Sequence, residues 1–311
     1  MKILDPHLHL FDLQLGQYSW LKPENAPFGL DKAVINKSFS QQDLVVSEEH
    51  EIAGFVHIEA GFNNDTPKEE VDWLESVVTK PFKTVAFIDV TLPVIKFEQA
   101  LNDLMSCQSV VGVRHILDDD AFEVLSLGQV KSNFAYLAKH NLSFDLQMPI
   151  TDVLALNQLI SILKHCPTLK IILNHAGWPP IADSPELLAK SDWYDALKQL
   201  AALPQCAVKC SGWEMIDREY DDLSVLSAVS PVSPVSTETY TWQSHVLNLC
   251  LEAFGQERVM LASNFPLCLF HSSYQDYWDN VINILNNMPL TETKKQALVF
   301  NNACSWYNLT I

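Results

Sequence analysis

Two histidines stand close to the start of the chain, His7 and His9, with one residue between them. In an extended strand that spacing sends both side chains to the same face, so the two imidazoles can grip one metal ion. The plainer alternative is a pair of hydrogen-bonded loop histidines. Asp5 and Pro6 precede them, and a proline there ends regular sheet pairing where a barrel strand would open into its site. A second group with chemical reach is Arg114, one of only three arginines with Arg218 and Arg258. Its forked donors suit a carboxylate or carbonyl of a substrate, or an internal salt bridge to Asp145 or Glu59.

These residues need strands to present them, and the chain supplies a regular alternation. Short apolar or β-branched runs recur at Ile3–Asp5, Gly54–Glu59, Thr84–Val90, Val110–Ile116, Leu142–Gln147, Lys170–Asn174, Ala207–Ser211 and Arg258–Ser263. Longer stretches with helical spacing lie between them, as at Pro67–Val78 and Ile150–Cys166. Eight βα units predict a closed (β/α)8 TIM barrel, with residues 1–311 forming one domain. The run ends are polar: Glu59, Arg114 with His115, Asp145 with Gln147, Asn174 with His175, Lys209 with Ser211, and Asn264. Polar groups gathered at the C-terminal ends of barrel strands mark an active site, because burying them without a role costs free energy. Two irregular excursions, Tyr18–Asp43 and Trp213–Tyr240, follow strands 1 and 7 and are expected on the same rim. The second contains a Ser-Pro-Val-Ser-Pro-Val run at 230–235.

Composition narrows the partners. Hydrophobic residues make up 48% of the 311 and charged residues 19%, enough apolar material for a substantial core. A net charge of −18 argues against nucleic acid, whose binding rests on Lys and Arg. Nothing approaches the roughly 18 consecutive apolar residues of a transmembrane helix, and no signal-peptide pattern opens the chain, so a cytoplasmic protein with no membrane partner is expected. The seven cysteines are odd in number and sit in apolar surroundings, which reads as reduced core thiols; Cys206 and Cys210 lack the second pair that a structural zinc site would need. A homo-oligomer is compatible with the aromatic residues of the excursions.

The strand-end segments taken together carry a family resemblance. Asp-Pro-His-Leu-His-Leu-Phe-Asp (5–12), Val-His-Ile-Glu-Ala (56–60), Gly-Val-Arg-His-Ile-Leu (112–117), Ser-Phe-Asp-Leu-Gln (143–147), Asn-His-Ala-Gly-Trp-Pro (174–179), Lys-Cys-Ser-Gly-Trp (209–213) and Arg-Val-Met-Leu-Ala-Ser-Asn-Phe-Pro (258–266) follow one another in order. They resemble the strand ends of amidohydrolase-2 type enzymes of the amidohydrolase superfamily, in particular the sugar-acid and dicarboxylate lactonases. The resemblance implies a site centred on His7, His9 and His175, which would hold one divalent metal ion, zinc first, or polarise the substrate carbonyl directly without metal. It also implies an aspartate at strand 8, where this chain has Asn264. A carboxamide cannot take a proton near neutral pH. The base then falls to a metal-bound hydroxide, Asp145, Glu59 or His175, and Asn264 is expected to donate a hydrogen bond.

The reading is therefore a hydrolase that opens a small carboxylated or sugar-acid lactone. His7, His9, His175, Asn264, Glu59 and Asp145 form its catalytic set, and Arg114, His115, Gln147, Lys209 and Trp213 its substrate-binding set. Two other readings stand beside it: a metal-dependent decarboxylase of a small unsaturated or aromatic acid, and a non-catalytic ligand-binding barrel, which Asn264 favours.

Overall fold

The computed structural model describes residues 1–25, 32–182, 184–216 and 237–311. Eight strands form one parallel sheet in sequence order: β1 (Lys2–Leu8), β2 (Glu51–Ile58), β3 (Phe82–Phe87), β4 (Val110–Ile116), β5 (Ser143–Gln147), β6 (Ile171–Leu173), β7 (Cys206–Cys210) and β8 (Val259–Leu261). The ring closes between its first and last strands, where Asn264 N donates to His7 O at 2.9 Å and His9 N to Phe265 O at 2.6 Å. All eight expected runs are strands. β8 is shorter than expected and β1 longer, so that His7 lies inside its strand.

Among the described residues, twelve α-helical segments surround or cap the sheet: α1 (Lys32–Ile35), α2 (Lys68–Val77), α3 (Val94–Leu104), α4 (Ala121–Ser126), α5 (Gly128–Lys139), α6 (Val153–His165), α7 (Pro185–Leu188), α8 (Asp192–Ala201), α9 (Thr237–Phe254), α10 (Tyr274–Asn287), α11 (Glu292–Gln296) and α12 (Asn302–Trp306). The helices obey the apolar periodicity: α2 buries Val71 and Leu74, and α6 buries Ala155, Leu156, Leu159, Ile162 and Leu163. The strands read as continuous apolar runs because parallel strands are covered on both faces. Leu4, Val56, Val85, Ile172, Ala207 and Met260, from six different strands, form one buried cluster, with Tyr307 and Leu309 among its members. That cluster is the floor on which the polar strand ends rest.

Both excursions follow strand ends, as expected. In the first, Trp20 Nε1 donates to Ala60 O at 2.7 Å, and Lys32 Nζ donates to the carbonyls of Lys22 and Asn25 at 3.1 and 2.6 Å. Of the second, Trp213–Met215 is a single 3-10 turn and α9 starts at Thr237, while the stretch between, with the 230–235 run, lies outside the described residues. Cys206 and Cys210 are the end residues of β7 and are buried free thiols. Among the described residues, no helix is long and apolar enough to cross a membrane.

Candidate active site

The strand that carries the histidine pair is not regular. Asp5 pairs with Phe55 and Leu8 with His57, so β1 advances three residues while β2 advances two. The extra residue is a bulge around Pro6, and a bulge reverses which face the following side chains take. Asp5 accordingly points away from the centre, accepting from Ser263 N at 3.1 Å, Ser263 Oγ at 2.5 Å and Tyr274 Oη at 3.0 Å. His7 turns to the centre instead, with its ring 5.1 Å from that of His9 and 4.7 Å from that of His175. His175 arrives there on a strained backbone: His175 and Ala176 have φ of 52° and 50°. Asn264 has φ 57°. Left-handed non-glycine residues are costly and cluster at functional sites.

Each imidazole is held by a different partner, and the partners decide which ring nitrogen carries the proton. His9 Nδ1 lies 2.8 Å from the carbonyl oxygen of Ile58. A carbonyl only accepts, so Nδ1 carries the hydrogen and Nε2 keeps its lone pair. His7 is the reverse. The Lys209 ammonium lies 3.3 Å from His7 Nδ1 and donates to Asp145 Oδ2 at 2.5 Å. An ammonium only donates, so Nδ1 accepts and the hydrogen of the neutral ring sits on Nε2. That Nε2 is buried without a hydrogen-bond partner. An unmet buried donor costs about 1–3 kcal/mol, which leaves this N–H open to a bound acceptor. His175 Nδ1 lies 3.1 Å from Ser211 Oγ.

Electrostatics keep the three rings neutral. Burial pushes His7, His9 and His175 well below the ordinary imidazole range, and positive neighbours push them further: Lys209 for His7, Arg114 for His9 and His175. The two cations are themselves balanced. Arg114 donates from Nε to Glu59 Oε1 at 2.7 Å, from Nη2 to the Glu59 carbonyl at 2.7 Å and from Nη1 to Gln147 Oε1 at 3.0 Å. Three of its five N–H groups are spent and two remain. Asp145 receives Lys209 and the Tyr307 hydroxyl, and burial brings Lys209 down to about 8.

Most of the predicted residues converge and two do not. His7, His9, His175, Arg114, Glu59, Gln147, Asp145, Lys209 and Asn264 belong to this connected set. His115 is a correction: strand alternation sends it to the opposite face of β4 from Arg114, where Nδ1 accepts from Val90 N at 3.1 Å beside Phe87. Trp213 is the other, packing on Trp242 at 5.6 Å. Asn264 donates a hydrogen bond, and its partner is Glu214: Nδ2 gives to Glu214 Oε1 at 2.5 Å. Sequence reading missed Glu214 and Tyr307, and it named Asn174 only as a polar strand end. Both amide atoms of Asn174 are buried without partners. Tyr307, 162 positions from Asp145, gives no sequence signal. Glu214 adjoins the Lys-Cys-Ser-Gly-Trp segment and could have been found there.

The same geometry tests the expected metal. A cation needs a lone pair on each ring nitrogen that faces it. His9 offers one, but the Lys209 ammonium places a hydrogen on the inward nitrogen of His7. Glu59 and Asp145 are committed to Arg114 and Lys209, and strand 8 contributes an amide. Among the described residues no group of three or more His, Cys, Asp or Glu side chains is arranged to hold a metal ion. The donor set as folded does not fit a resident metal.

Comparison with known proteins agrees with the fold. The family model described as Amidohydrolase matches residues 4–309. The chain is 29% identical to the uncharacterized protein y4mH of Sinorhizobium fredii, covering 99% of this chain and 98% of that protein. It is 23% identical to L-rhamnono-gamma-lactonase of Scheffersomyces stipitis, covering 99% of each. A crystal structure of an amidohydrolase from Burkholderia multivorans with bound zinc superposes with a TM-score of 0.78 at 20% identity, over 100% of both chains.

Proposed function

This chain belongs to the amidohydrolase family, and from that premise we propose that it hydrolyses a small, uncharged sugar-acid lactone. The observation that carries the reading is the opposite polarity of two adjacent imidazoles. His7 presents an N–H and His9 a lone pair, with 5.1 Å between ring centroids. Ester hydrolysis needs that combination: a donor where charge develops on the carbonyl oxygen, and an acceptor for the proton of the attacking water.

The lactone carbonyl oxygen sits at His7 Nε2. Water adds to the carbonyl carbon while its proton passes to His9 Nε2. The Lys209 charge behind His7 strengthens the N–H as a donor to the developing oxyanion. Collapse of the tetrahedral intermediate breaks the ring C–O bond, and the proton on His9 returns to the leaving oxygen. The Asn174 amide and the two remaining N–H groups of Arg114 take substrate hydroxyls. His175 packs against His7 and holds it in place. The Scheffersomyces relative is by name a lactonase, which supports the reaction type.

Charge balance favours a sugar-acid lactone over a dicarboxylated one. Arg114 and Lys209 are each matched by a buried carboxylate, and Asp118 lies beside Gln147. Among the described residues of the site, no surplus cation awaits a second anion. Purified protein, with and without chelator treatment, should open neutral aldonolactones at equal rates and dicarboxylated lactones far more slowly. A preference for dicarboxylated substrates, or activity lost to chelator and restored by zinc, would overturn this mechanism. Carbon dioxide release with no ring opening would mark a decarboxylase.

A further inference from the structure

Asn264 is linked to the acceptor side of this pair. Its N–H donates to His7 O while His9 N donates to the carbonyl of the next residue, Phe265, so its side chain stands beside the pair, and it favours the protonated His9 ring, as an inward-facing oxygen would. On its other side Nδ2 faces Glu214 Oε1 at 2.5 Å. All three residues are buried. A carboxamide has one accepting and one donating end, so whichever end turns to Glu214, the opposite end turns to His9. An ionised carboxylate can only accept. It claims the NH2 group and leaves Oδ1 facing the reacting centre.

We propose that Glu214 is the positioning residue of the site: its carboxylate holds the Asn264 amide with the oxygen inward, so that Asn264 Oδ1 and His9 Nε2 together receive both hydrogens of the attacking water and aim its lone pair at the substrate carbonyl. With Glu214 protonated, its O–H donates to Oδ1 and the amide turns. The NH2 group then faces His9 Nε2 and occupies the lone pair that should take the water's proton. The arrangement accounts for an amide just beyond β8: the negative charge is one residue removed, on the turn that follows β7. Burial raises the Glu214 carboxyl to about 7, so both states are accessible near neutral pH.

Among the described residues, the surroundings do not supply a competing charge of the same kind. Cys268 and Tyr277 feel the Glu214 charge and are kept neutral by burial, which raises both groups well above their ordinary values. Asp5 acts on the same two side chains from β1. His271 lines the same pocket wall as Glu214.

The inference rests on the lactonase reading, and four proteins separate the two. Wild type, E214Q, N264D/E214Q and H271Q are assayed on neutral aldonolactones from pH 5.5 to 8.5, with thermal melting as the check on folding. A glutamine in place of Glu214 can offer either its oxygen or its NH2 group to Asn264, so E214Q no longer fixes the amide and lets its NH2 group turn to the lone pair of His9 Nε2. Its kcat should fall about 10- to 100-fold, with KM changed less than about 3-fold. In N264D/E214Q the introduced glutamine amide donates to the introduced aspartate, and a carboxylate oxygen faces inward whatever the pH. That variant should recover most of the wild-type kcat and lose the rise in kcat with pH that wild type and H271Q show near 7. Wild-type kcat in E214Q, or a double variant as slow as E214Q, overturns the role of Glu214 and leaves the lactonase reading standing. A wild type that opens no lactone overturns both.

Discussion

Lys209 decides which end of His7 faces the centre of the barrel mouth, and it can do so only because Asp145 keeps it charged in a buried position. Both side chains are fully buried, 2.5 Å apart, and the Tyr307 hydroxyl donates to the same carboxylate at 2.9 Å. A buried ion pair contributes little net stability over an apolar replacement, yet removing one partner strands the other charge. Asp145→Asn should therefore cost about 3–5 kcal/mol in urea unfolding, well above the typical mutational cost of about 1 kcal/mol. An unchanged urea midpoint would mean that Lys209 finds another counter-charge. Arg258 shows what an arginine does without such a role. Its guanidinium donates to the carbonyls of Phe254, Leu203, Cys206 and Ala201 and ties the end of α9 to β7.

At the scale of elements, the site depends on irregularities at strand ends. The bulge at Pro6 turns His7 inward, and left-handed backbone at His175 and Asn264 brings two more side chains into range. Behind them, His57 Nδ1 accepts from Leu10 N at 3.2 Å, so its Nε2–H donates to Glu70 Oε1 at 3.0 Å, pinning the ends of β1 and β2 to α2. Gly212, just beyond β7, has φ +71°, and a Cβ there would collide with His175 Nδ1. Gly212→Ala should thus push His175 away from Ser211, costing roughly 1–3 kcal/mol and lowering kcat. Gly128→Ala, where a Cβ meets nothing within 4 Å, should be neutral or stabilising. Thermal melts and kcat for the two variants check the contrast, and equal effects would discount the close approach.

For the whole molecule, the buried titratable groups set how stability varies with pH. Burial raises Asp5 from 3.8 to about 6, Glu70 from 4.5 to about 8 and Glu214 from 4.5 to about 7. A raised carboxyl gives stability that is full below its unfolded value and lost as pH rises through its folded value. His57 is lowered from 6.5 to about 3, and His7, His9 and His175 lie well below 6.5. Their contribution is full above 6.5 and lost as pH falls. Lys209 is lowered from 10.5 to about 8 by burial, so its own contribution diminishes as pH falls from 10.5 through 8 and recovers only on the alkaline side. Tm should accordingly be highest near pH 6.5 and decline toward both 5 and 8. Glu70→Gln, which retains an oxygen to accept from His57 and Ala60, should flatten the alkaline decline in scanning fluorimetry. A Tm that climbs steadily to pH 8 in the wild type would contradict this ordering.

The barrel was legible because its signal is repeated eight times: each buried parallel strand must be apolar and each helix must carry one apolar face, whatever its neighbours are. The positions of His7, His9, His175, Arg114, Asp145 and Lys209 were legible for a similar reason, since packing alone gives a strand little reason to end in buried polar residues. Chain order by itself determined the fold and which polar residues gather at the strand ends. It could not determine polarity, because a histidine's tautomer and an amide's orientation belong to the partner and not to the residue. His115 followed Arg114 in sequence but strand alternation put it on the other face. Tyr307 reached Asp145 only through closure of the barrel floor. Tertiary structure alone decided that Lys209 faces His7, that Ile58 faces His9 and that Glu214 stands behind Asn264, since each hydrogen bond joins residues from separate strands or turns whose meeting no local pattern encodes.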